Sequence, residues 1–570
     1  MTYVVTRSCC ADASCVLACP VNCIHPAPGE PGFGRTEMLY VDPRTCVDCG
    51  ACTTACPVDA LKPHTRLTEA ELPFLALNRA YYDDHPHEDR TPMAVVPPQR
   101  RTSAAELRVA VVGAGPAGLF AADELLRHPG VTVTVHDRLP TPYGLARAGV
   151  APDHQDTKRV ARLFRAVENQ PGFSYRLNTE IGRDLHHEDL LRDHHAVIYA
   201  VGAATDRRLG IDGEELHGSA SATDFVAWYN GHPDHSAGSY PLDGERAVVI
   251  GNGNVALDVA RILAADPDTL SRTDISDRAL AALRTSRIRE VVVLGRRGPA
   301  EAAFTLPELL ALAALDDIDV LVENWPADLP ADATPGTEVL AELAARTPVP
   351  GRRRIVLRFL TRPVRIVGDD RVTGLTVERT AVDTRTALDT RTALDTRTAL
   401  GTRTVEATDT IEASLVLRAI GYRARPVPGL PFDETTGAVP HDRGRVRPGV
   451  YVAGWIKRGP SGFIGTNKSC AQETVSALLD DLEAGLLTPP VGDAPASGAH
   501  PDAVGLDGWR AIDEEERAAG RLQGRPRVKI LDREALLAAA RSGRPPRRSG
   551  RLFSRRPTAG STPSGGSGPG

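Results

Sequence analysis

Positive charge is in short supply: 67 lysines and arginines face 73 aspartates and glutamates, for a net charge of −6. That balance leaves no footprint for nucleic acid or for an anionic membrane surface. Long apolar runs are missing too, so no segment reads as a bilayer span, and no cationic, apolar, small-residue leader opens the chain. A cytoplasmic location and a monomer are expected. Cysteine is scarce over most of the length: nine of the ten lie between Cys9 and Cys56, and only Cys470 stands elsewhere. No cysteine pair therefore accompanies the nucleotide loops described below, which disfavours a disulfide reductase. In a reducing compartment, cysteines crowded into one short segment point to metal rather than to disulfides. The 570 residues are enough for roughly two to four domains, each with its own core.

What is present begins with Cys46-x2-Cys49-x2-Cys52-x3-Cys56-Pro57. This is a bacterial ferredoxin ligand run, in which the fourth cysteine serves the other cluster. Zinc would want two separated knuckles, and a thioredoxin-like Cys49–Cys52 pair would leave the flanking cysteines unexplained. The segment also repeats itself at an offset of 37: Tyr3, Cys9, Cys15, Cys19 and Pro20 recur as Tyr40, Cys46, Cys52, Cys56 and Pro57. Two pseudo-symmetric halves follow, with each proline-flanked cysteine crossing over. One cluster is then expected on Cys46, Cys49, Cys52 and Cys19, the other on Cys9, Cys15 and Cys56. The repeat breaks where Cys49 maps onto Asp12. A carboxylate is a harder, weaker partner for iron–sulfur than a thiolate. The second cluster is expected as [3Fe–4S], or as [4Fe–4S] with one labile Asp12-bound iron. Cys10 is a rival ligand, and Cys23 is expected as an unliganded neighbouring thiol.

A strand from Leu107 to Val112 runs into Gly113-Ala114-Gly115-Pro116-Ala117-Gly118, then a helix, then a strand ending at Asp137. In that context Gly113 makes the tight turn, Gly115 admits a pyrophosphate, Gly118 lets helix meet strand, and Asp137 faces a ribose hydroxyl. A second unit starts at Gly251-Asn252-Gly253-Asn254-Val255, but its partner strand ends in Arg296-Arg297 instead of an acid. Paired guanidiniums chelate a 2′-phosphate that a carboxylate would repel. The first site is thereby expected to hold FAD and the second NADP(H). The 41 residues between Ala256 and Arg297 exceed the simple pattern, and an inserted helical hairpin around Asp274–Leu283 would account for them. Hydride passing from nicotinamide to flavin, then single electrons to iron, is the chemistry such a set of cofactors supports.

Five motifs in order carry a resemblance: Gly113 to Gly118, Gly149-Val150-Ala151-Pro152-Asp153-His154, Gly251 to Ala256, Gly295-Arg296-Arg297-Gly298-Pro299, and Gly454-Trp455-Ile456-Lys457-Arg458-Gly459-Pro460. Residues 107–535 resemble the adrenodoxin-reductase-like ferredoxin–NADP reductases, and with the cysteine segment in front the chain resembles that family's bacterial ferredoxin fusion. The resemblance implies that Ala117, Asp137, Leu145, Ile181, Trp455, Gly462, Phe463 and Ile464 touch FAD. It implies that Arg207, Asn252, Gly253, Asn254, Val255, Arg296, Arg297, Glu308 and Gly462 contact NADP(H). His154 and Glu308 match positions beside the nicotinamide, where they position the ring and handle a proton.

The expected architecture is an α/β two-domain, Rossmann-like FAD/NADP(H) reductase behind an α+β bacterial-type ferredoxin. The boundaries read as ferredoxin 1–61, linker 62–106, FAD domain 107–205 and 415–540, NADP(H) domain 206–414, and disordered basic tail 541–570. The hexapeptide Thr384-Arg385-Thr386-Ala387-Leu388-Asp389 repeats to about residue 404 and reads as an expanded surface hairpin. The expected partner is a ferredoxin or other one-electron acceptor, such as a cytochrome P450 system. The alternatives are a module like the glutamate-synthase small subunit, whose front end would be a cysteine-bearing helical domain, and a non-enzymatic redox sensor.

Overall fold

The computed structural model describes residues 2–93, 106–325, 334–380, 405–491 and 501–542. At the amino end the 37-residue repeat becomes a real pseudo-symmetry. Helix Ser14–Ala18 matches Ala51–Ala55, and strands Tyr3–Val5 and Ile24–His25 match Tyr40–Val41 and Leu61–Pro63. Even the left-handed residues repeat: Ala11 (φ 53°) with Asp48 (58°), Ala13 (61°) with Gly50 (75°), Asn22 (48°) with Asp59 (51°). Non-glycine residues avoid that region unless surroundings hold them there, so a tightly curled loop recurs in each half.

The segment 62–106 departs from a linker. Leu61–Pro63 pairs antiparallel with Tyr3–Val5, and Pro73–Asp84 is a helix laid across both halves. Its Asn78 accepts from Val5 N (3.1 Å) and Val41 N (2.9 Å) and donates to Val5 O (2.9 Å). One buried amide thus satisfies the strand edges of both repeats, and buried Phe74 and Tyr82 fill the space between. The helix had little apolar periodicity to announce it, because three anchors do the packing. Residues 97–101 lie outside the described part.

The reductase body holds two six-stranded sheets. The first runs, in spatial order, Arg445–Arg447, Val450–Val452, Ala196–Tyr199, Leu107–Val112, Val131–Asp137, Phe173–Leu177, parallel except at the first pair. The second is wholly parallel: Ser219–Ser221, Leu415–Arg418, Arg246–Ile250, Glu290–Leu294, Arg353–Arg358, Ile318–Glu323. Strands buried on both faces explain the unbroken runs of Val, Ile and Ala at their centres. Leu415–Arg418 therefore belongs to the second sheet, beside Arg246–Ile250, and the chain returns to the first sheet only after it. An apolar run bounded by small residues looks the same in either sheet, so its side of the boundary was not legible.

The two lobes are joined by an antiparallel ribbon, Thr205–Asp206 against Tyr422–Arg423. A three-stranded antiparallel sheet, Thr361–Val367, Gly374–Thr380 and Val405–Glu412, flanks the second lobe, with Thr380 opposite Val405. The hexapeptide repeat falls between those last two strands and lies outside the described residues, as does the tail from residue 543. The extra length before Arg296 is the pair of helices Pro267–Leu270 and Asp277–Arg284. Helices Leu506–Leu522 and Arg533–Ser542 close the first lobe. Among the described residues no helix is long and apolar enough to cross a membrane.

Candidate active site

In the first lobe, Gly113 takes φ 109°, and a Cβ there would lie 2.4 Å from Ala200 O. Gly118 has no room either: its Cβ would fall 1.9 Å from Gly113 O. Gly115, by contrast, has nothing within 4 Å of where a Cβ would sit, although it opens the helix Pro116–Leu126. Two glycines that let strand and helix touch therefore flank one whose front is open, at a helix start with spare N–H groups. Half-buried Asp137 ends the neighbouring strand and accepts from Ala114 N (2.8 Å) and Leu139 N (2.9 Å). Burial raises its carboxyl above the ordinary value, against the pull of those two amides.

Other expected contacts converge here. The turn before Leu145 brings Gly144 to within contact of Gly115, and a Cβ on Gly454 would meet Ala117 Cβ at 2.6 Å. Trp455 donates from Nε1 to Ser461 O (3.1 Å), pinning the loop that carries Gly462, Phe463 and Ile464. Ile181 and Trp455 pack against one apolar group with Tyr422, whose ring lies 5.1 Å from that of Trp455. Leu145 is exposed at the rim.

The second lobe repeats the device. Gly251 takes φ 113° against Ala419 O (2.3 Å from a Cβ), and Gly253 is open. Asn254 accepts from Thr305 N (2.9 Å), while Asn252 lies against Gly295. Arg296 and Arg297 are exposed after the strand Glu290–Leu294, and exposed Arg207 follows the interlobe ribbon. Val255 packs on the lobe's core.

Between the lobes His154 and Glu308 meet, and the sequence did not show what joins them. Arg7, from the cysteine-rich domain, donates from Nη2 to Glu308 Oε2 (2.7 Å) and also contacts His154 Nε2. Arg261 donates to the same His154 nitrogen (2.6 Å) and to Asp258 (2.7 Å), and pairs with Asp153. A guanidinium only donates, so Nε2 accepts and His154 is the neutral tautomer with its proton on Nδ1. Burial, with both arginines, lowers its pKa accordingly. Burial opposes ionisation of Glu308, but the Arg7 and Arg261 guanidiniums outweigh it and hold the carboxyl below its usual value. Glu37, also from the front domain, is pushed up to about 7 by burial and by the Glu308 charge, against a hydrogen bond from Thr305. Arg7, Glu37, Arg261 and Asp258 carry no motif signal; only the three-dimensional crossing brings them in beside Asp153 of the Gly149–His154 motif.

The cysteines sort into the two crossed sets. Cys19, Cys46, Cys49 and Cys52 line one pocket, with Cys23 on its wall 3.4 Å from Cys19 Sγ. Cys9, Cys15 and Cys56 cluster around buried Asp12, whose carboxylate also lies 3.7 Å from Cys10 Sγ. Backbone amides aim at the sulfurs: Ala11 N at Cys9 (3.4 Å) and Ala60 N at Cys56 (3.2 Å). Burial pushes the Cys9 and Cys52 thiols up to about 12, so those two become thiolates only beside a cation, whereas hydrogen bonding with Cys23 lowers Cys19 to about 5 and Cys46 to about 6.

The domain is docked by its Asp12 side. Gly465 N donates to Cys10 O (2.8 Å), Lys468 Nζ donates to Asp12 O (3.1 Å), and Thr466 donates to Gly34 O (3.3 Å). Cys10, Val58 and Ala60 join the first lobe's core beside Ile464. Cys49, in the other set, is exposed.

Two family models match: pyridine nucleotide-disulphide oxidoreductase over residues 107–291 and a 4Fe-4S binding domain over residues 39–62. A probable ferredoxin/ferredoxin–NADP reductase of Mycobacterium tuberculosis is 50% identical over 95% of both chains. The Mycobacterium leprae counterpart is 49% identical, covering 96% of this chain and 99% of its own. This chain belongs to the ferredoxin/ferredoxin–NADP reductases. The reductase part of that family is seen in M. tuberculosis FprA in complex with NADPH, 41% identical with a TM-score of 0.70, covering 76% of this chain and 99% of that one. In the ferredoxin/ferredoxin–NADP reductase described here, the front end is the 37-residue repeat rather than the helical domain of a glutamate-synthase-like module.

Proposed function

We propose that this cytoplasmic, monomeric enzyme is a ferredoxin–NADP(+) reductase fused to its own two-cluster ferredoxin. The observation that carries the reading is the docking: the Cys9/Asp12/Cys15/Cys56 side of the ferredoxin lies on Gly465 and Ile464, next to the loop expected to hold the flavin. FAD fits the open front of Gly115, with Gly113, Ala117, Gly118, Asp137, Leu145, Ile181, Trp455, Phe463 and Ile464 around it. NADP(H) fits the open front of Gly253, with Asn252, Asn254, Val255, Gly462 and the guanidiniums of Arg207, Arg296 and Arg297. One [4Fe–4S] cluster suits Cys19, Cys46, Cys49 and Cys52; the three-cysteine set with Asp12 suits a [3Fe–4S] cluster or a [4Fe–4S] with a labile corner. When bound, these groups supply two-electron uptake from NADPH at flavin and one-electron transfer at iron.

The chain's own residues do the positioning. Asp137 and the helix start at Pro116 fix ribose and pyrophosphate, and the paired arginines choose the phosphorylated dinucleotide. Glu308, kept ionised, favours the positive charge that a nicotinamide ring gains as it gives up hydride. Neutral His154 presents no charge of its own and keeps its exchangeable proton on Nδ1. The Gly454–Gly465 loop, pinned by Trp455 Nε1 on Ser461 O, lies at the junction. Exposed Cys49 marks the ferredoxin edge from which an external one-electron acceptor, a ferredoxin or a cytochrome P450 system, is served.

The test is the flavin and iron inventory of anaerobically purified protein, with NADPH-driven reduction of ferricyanide and of cytochrome c. Bound flavin, seven or eight irons and both activities are expected. Flavin and iron without either activity would favour a sensor and overturn the proposal.

A further inference from the structure

The loop that carries Asp12 meets positive charge from the reductase body. Buried Asp12 accepts from Ser14 Oγ and lies 3.7 Å from Cys10 Sγ, both within the ferredoxin domain. A third group comes from the other half of the chain, 456 residues later. Lys468 Nζ donates to Asp12 O (3.1 Å) and stands 3.9 Å from Asp12 Oδ2. The Lys468 side chain is 24% exposed and that of Asp12 only 7%, so water screens the pair incompletely. Lys468 also sits in the first turn of the helix Thr466–Glu483, which has no acidic residue there. A lysine at that end works against the helix dipole. The carboxylate that this helix start lacks is supplied across the domain boundary by Asp12. Its charge in turn reaches the sulfurs of Cys9, Cys15 and Cys56 alike.

We propose that Lys468 is a positioning residue for the cluster of the Cys9, Cys15 and Cys56 set: its ammonium holds and offsets the Asp12 carboxylate, and so makes that cluster easier to reduce. This rests on the reading that those three cysteines hold the cluster next to the flavin. Reduction adds one negative charge; a carboxylate beside the iron opposes it, and a cation paired with that carboxylate favours it. The reductase half thereby sets the potential of the centre to which it passes electrons, and does so only while the two domains are docked. The pocket of the other set is lined, among the described residues, only by the front domain, so its cluster is an internal reference.

The experiment is an EPR-monitored redox titration of the full-length holoprotein, reading both clusters. Lys468→Gln keeps a donor for Asp12 O but removes the charge. It should lower the equilibrium constant for reducing the Asp12-side cluster about 3- to 10-fold, a fall of roughly 30–60 mV for one electron. The other cluster should change by less than about 1.5-fold. Lys468→Met should behave as Lys468→Gln does, and Lys468→Arg should keep the parent potentials. A lysine that served only to hold the domains together would not distinguish Gln from Arg by charge, nor one cluster from the other. Unchanged potentials in the Gln and Met variants, or equal shifts of both clusters, would overturn the proposal and leave the reading of the site standing. A parent protein with no cluster on Cys9, Cys15 and Cys56 would overturn that reading itself.

Discussion

Gly115 and Gly118 lie three residues apart, yet an alanine at each should fail in a different way. At Gly118 a methyl would sit 1.9 Å from Gly113 O and 3.1 Å from Val111 Cγ1. An ordinary carbon–oxygen contact is about 3.3 Å or more, so helix and loop must part by over about 1 Å. Overpacking of that kind costs roughly 1–3 kcal/mol or more, a fall of about 5–10 °C in melting temperature for a lobe of this size. At Gly115 nothing lies within 4 Å, and the backbone is extended (φ −78°, ψ −179°), open to any residue. Gly115→Ala should therefore melt within about 2 °C of the parent as apoprotein. Its methyl projects where a pyrophosphate would approach, however, and losing one or two charge-assisted amide contacts weakens flavin about 10- to 100-fold. Calorimetry of the apoproteins and fluorescence titration with FAD separate the two effects. A Gly115→Ala variant that folds and binds flavin as tightly as the parent would show that no phosphate crosses this loop.

Arg297→Glu should weaken NADPH about 10- to 100-fold while changing NADH less than about threefold, because only the former carries the phosphate; equal losses in kinetic assays would remove Arg297 from the site. A chain starting after Arg101 should keep its flavin and lose all cluster absorbance. It should still reduce ferricyanide, and flavin loss would show that the ferredoxin is part of the flavin fold. Glu37 has its folded pKa raised to about 7, above the usual 4.5, so the folded state holds its proton longer than the unfolded one. Stability should fall as pH rises from about 4.5 to 7 in the parent but less so in Glu37→Gln, as read from melting temperatures against pH. Iron and sulfide analysis with EPR of the oxidised protein should find a [3Fe–4S] signal with seven irons, or eight irons with one lost easily to chelator. Eight inert irons would make Cys10, not Asp12, the fourth ligand.

Local features of the chain could be read in advance. The cysteine spacing, the offset of 37 and the two glycine loops each specify a short backbone path, and the left-handed pairs Ala11/Asp48 and Asn22/Asp59 follow from the repeat. The helical insertion at Pro267–Arg284 followed from counting residues between strand and strand. What was hidden depends on distance along the chain. Arg7 and Glu308 are 301 residues apart, and an arginine before a cysteine loop is indistinguishable from a solvated one until the domain docks. Asn78 is equally mute, since one buried amide replaces the apolar stripe by which helices are ordinarily recognised. Leu415–Arg418 joins the second lobe rather than the expected first, because burial on both faces erases the signature of which sheet a strand joins.

The seat of Cys10 and Ala11 on Gly465, where even a methyl would come 2.2 Å from Ala11 O, bears on kinetics. Contact this close joins donor and acceptor without a diffusional encounter, so the internal handover is first order and indifferent to ionic strength. Only an outward step to a separate protein, proposed above for the Cys49 edge, would remain bimolecular and open to salt screening. On the proposed exit at exposed Cys49, fusion moves the collision event away from the flavin and onto the ferredoxin's own surface.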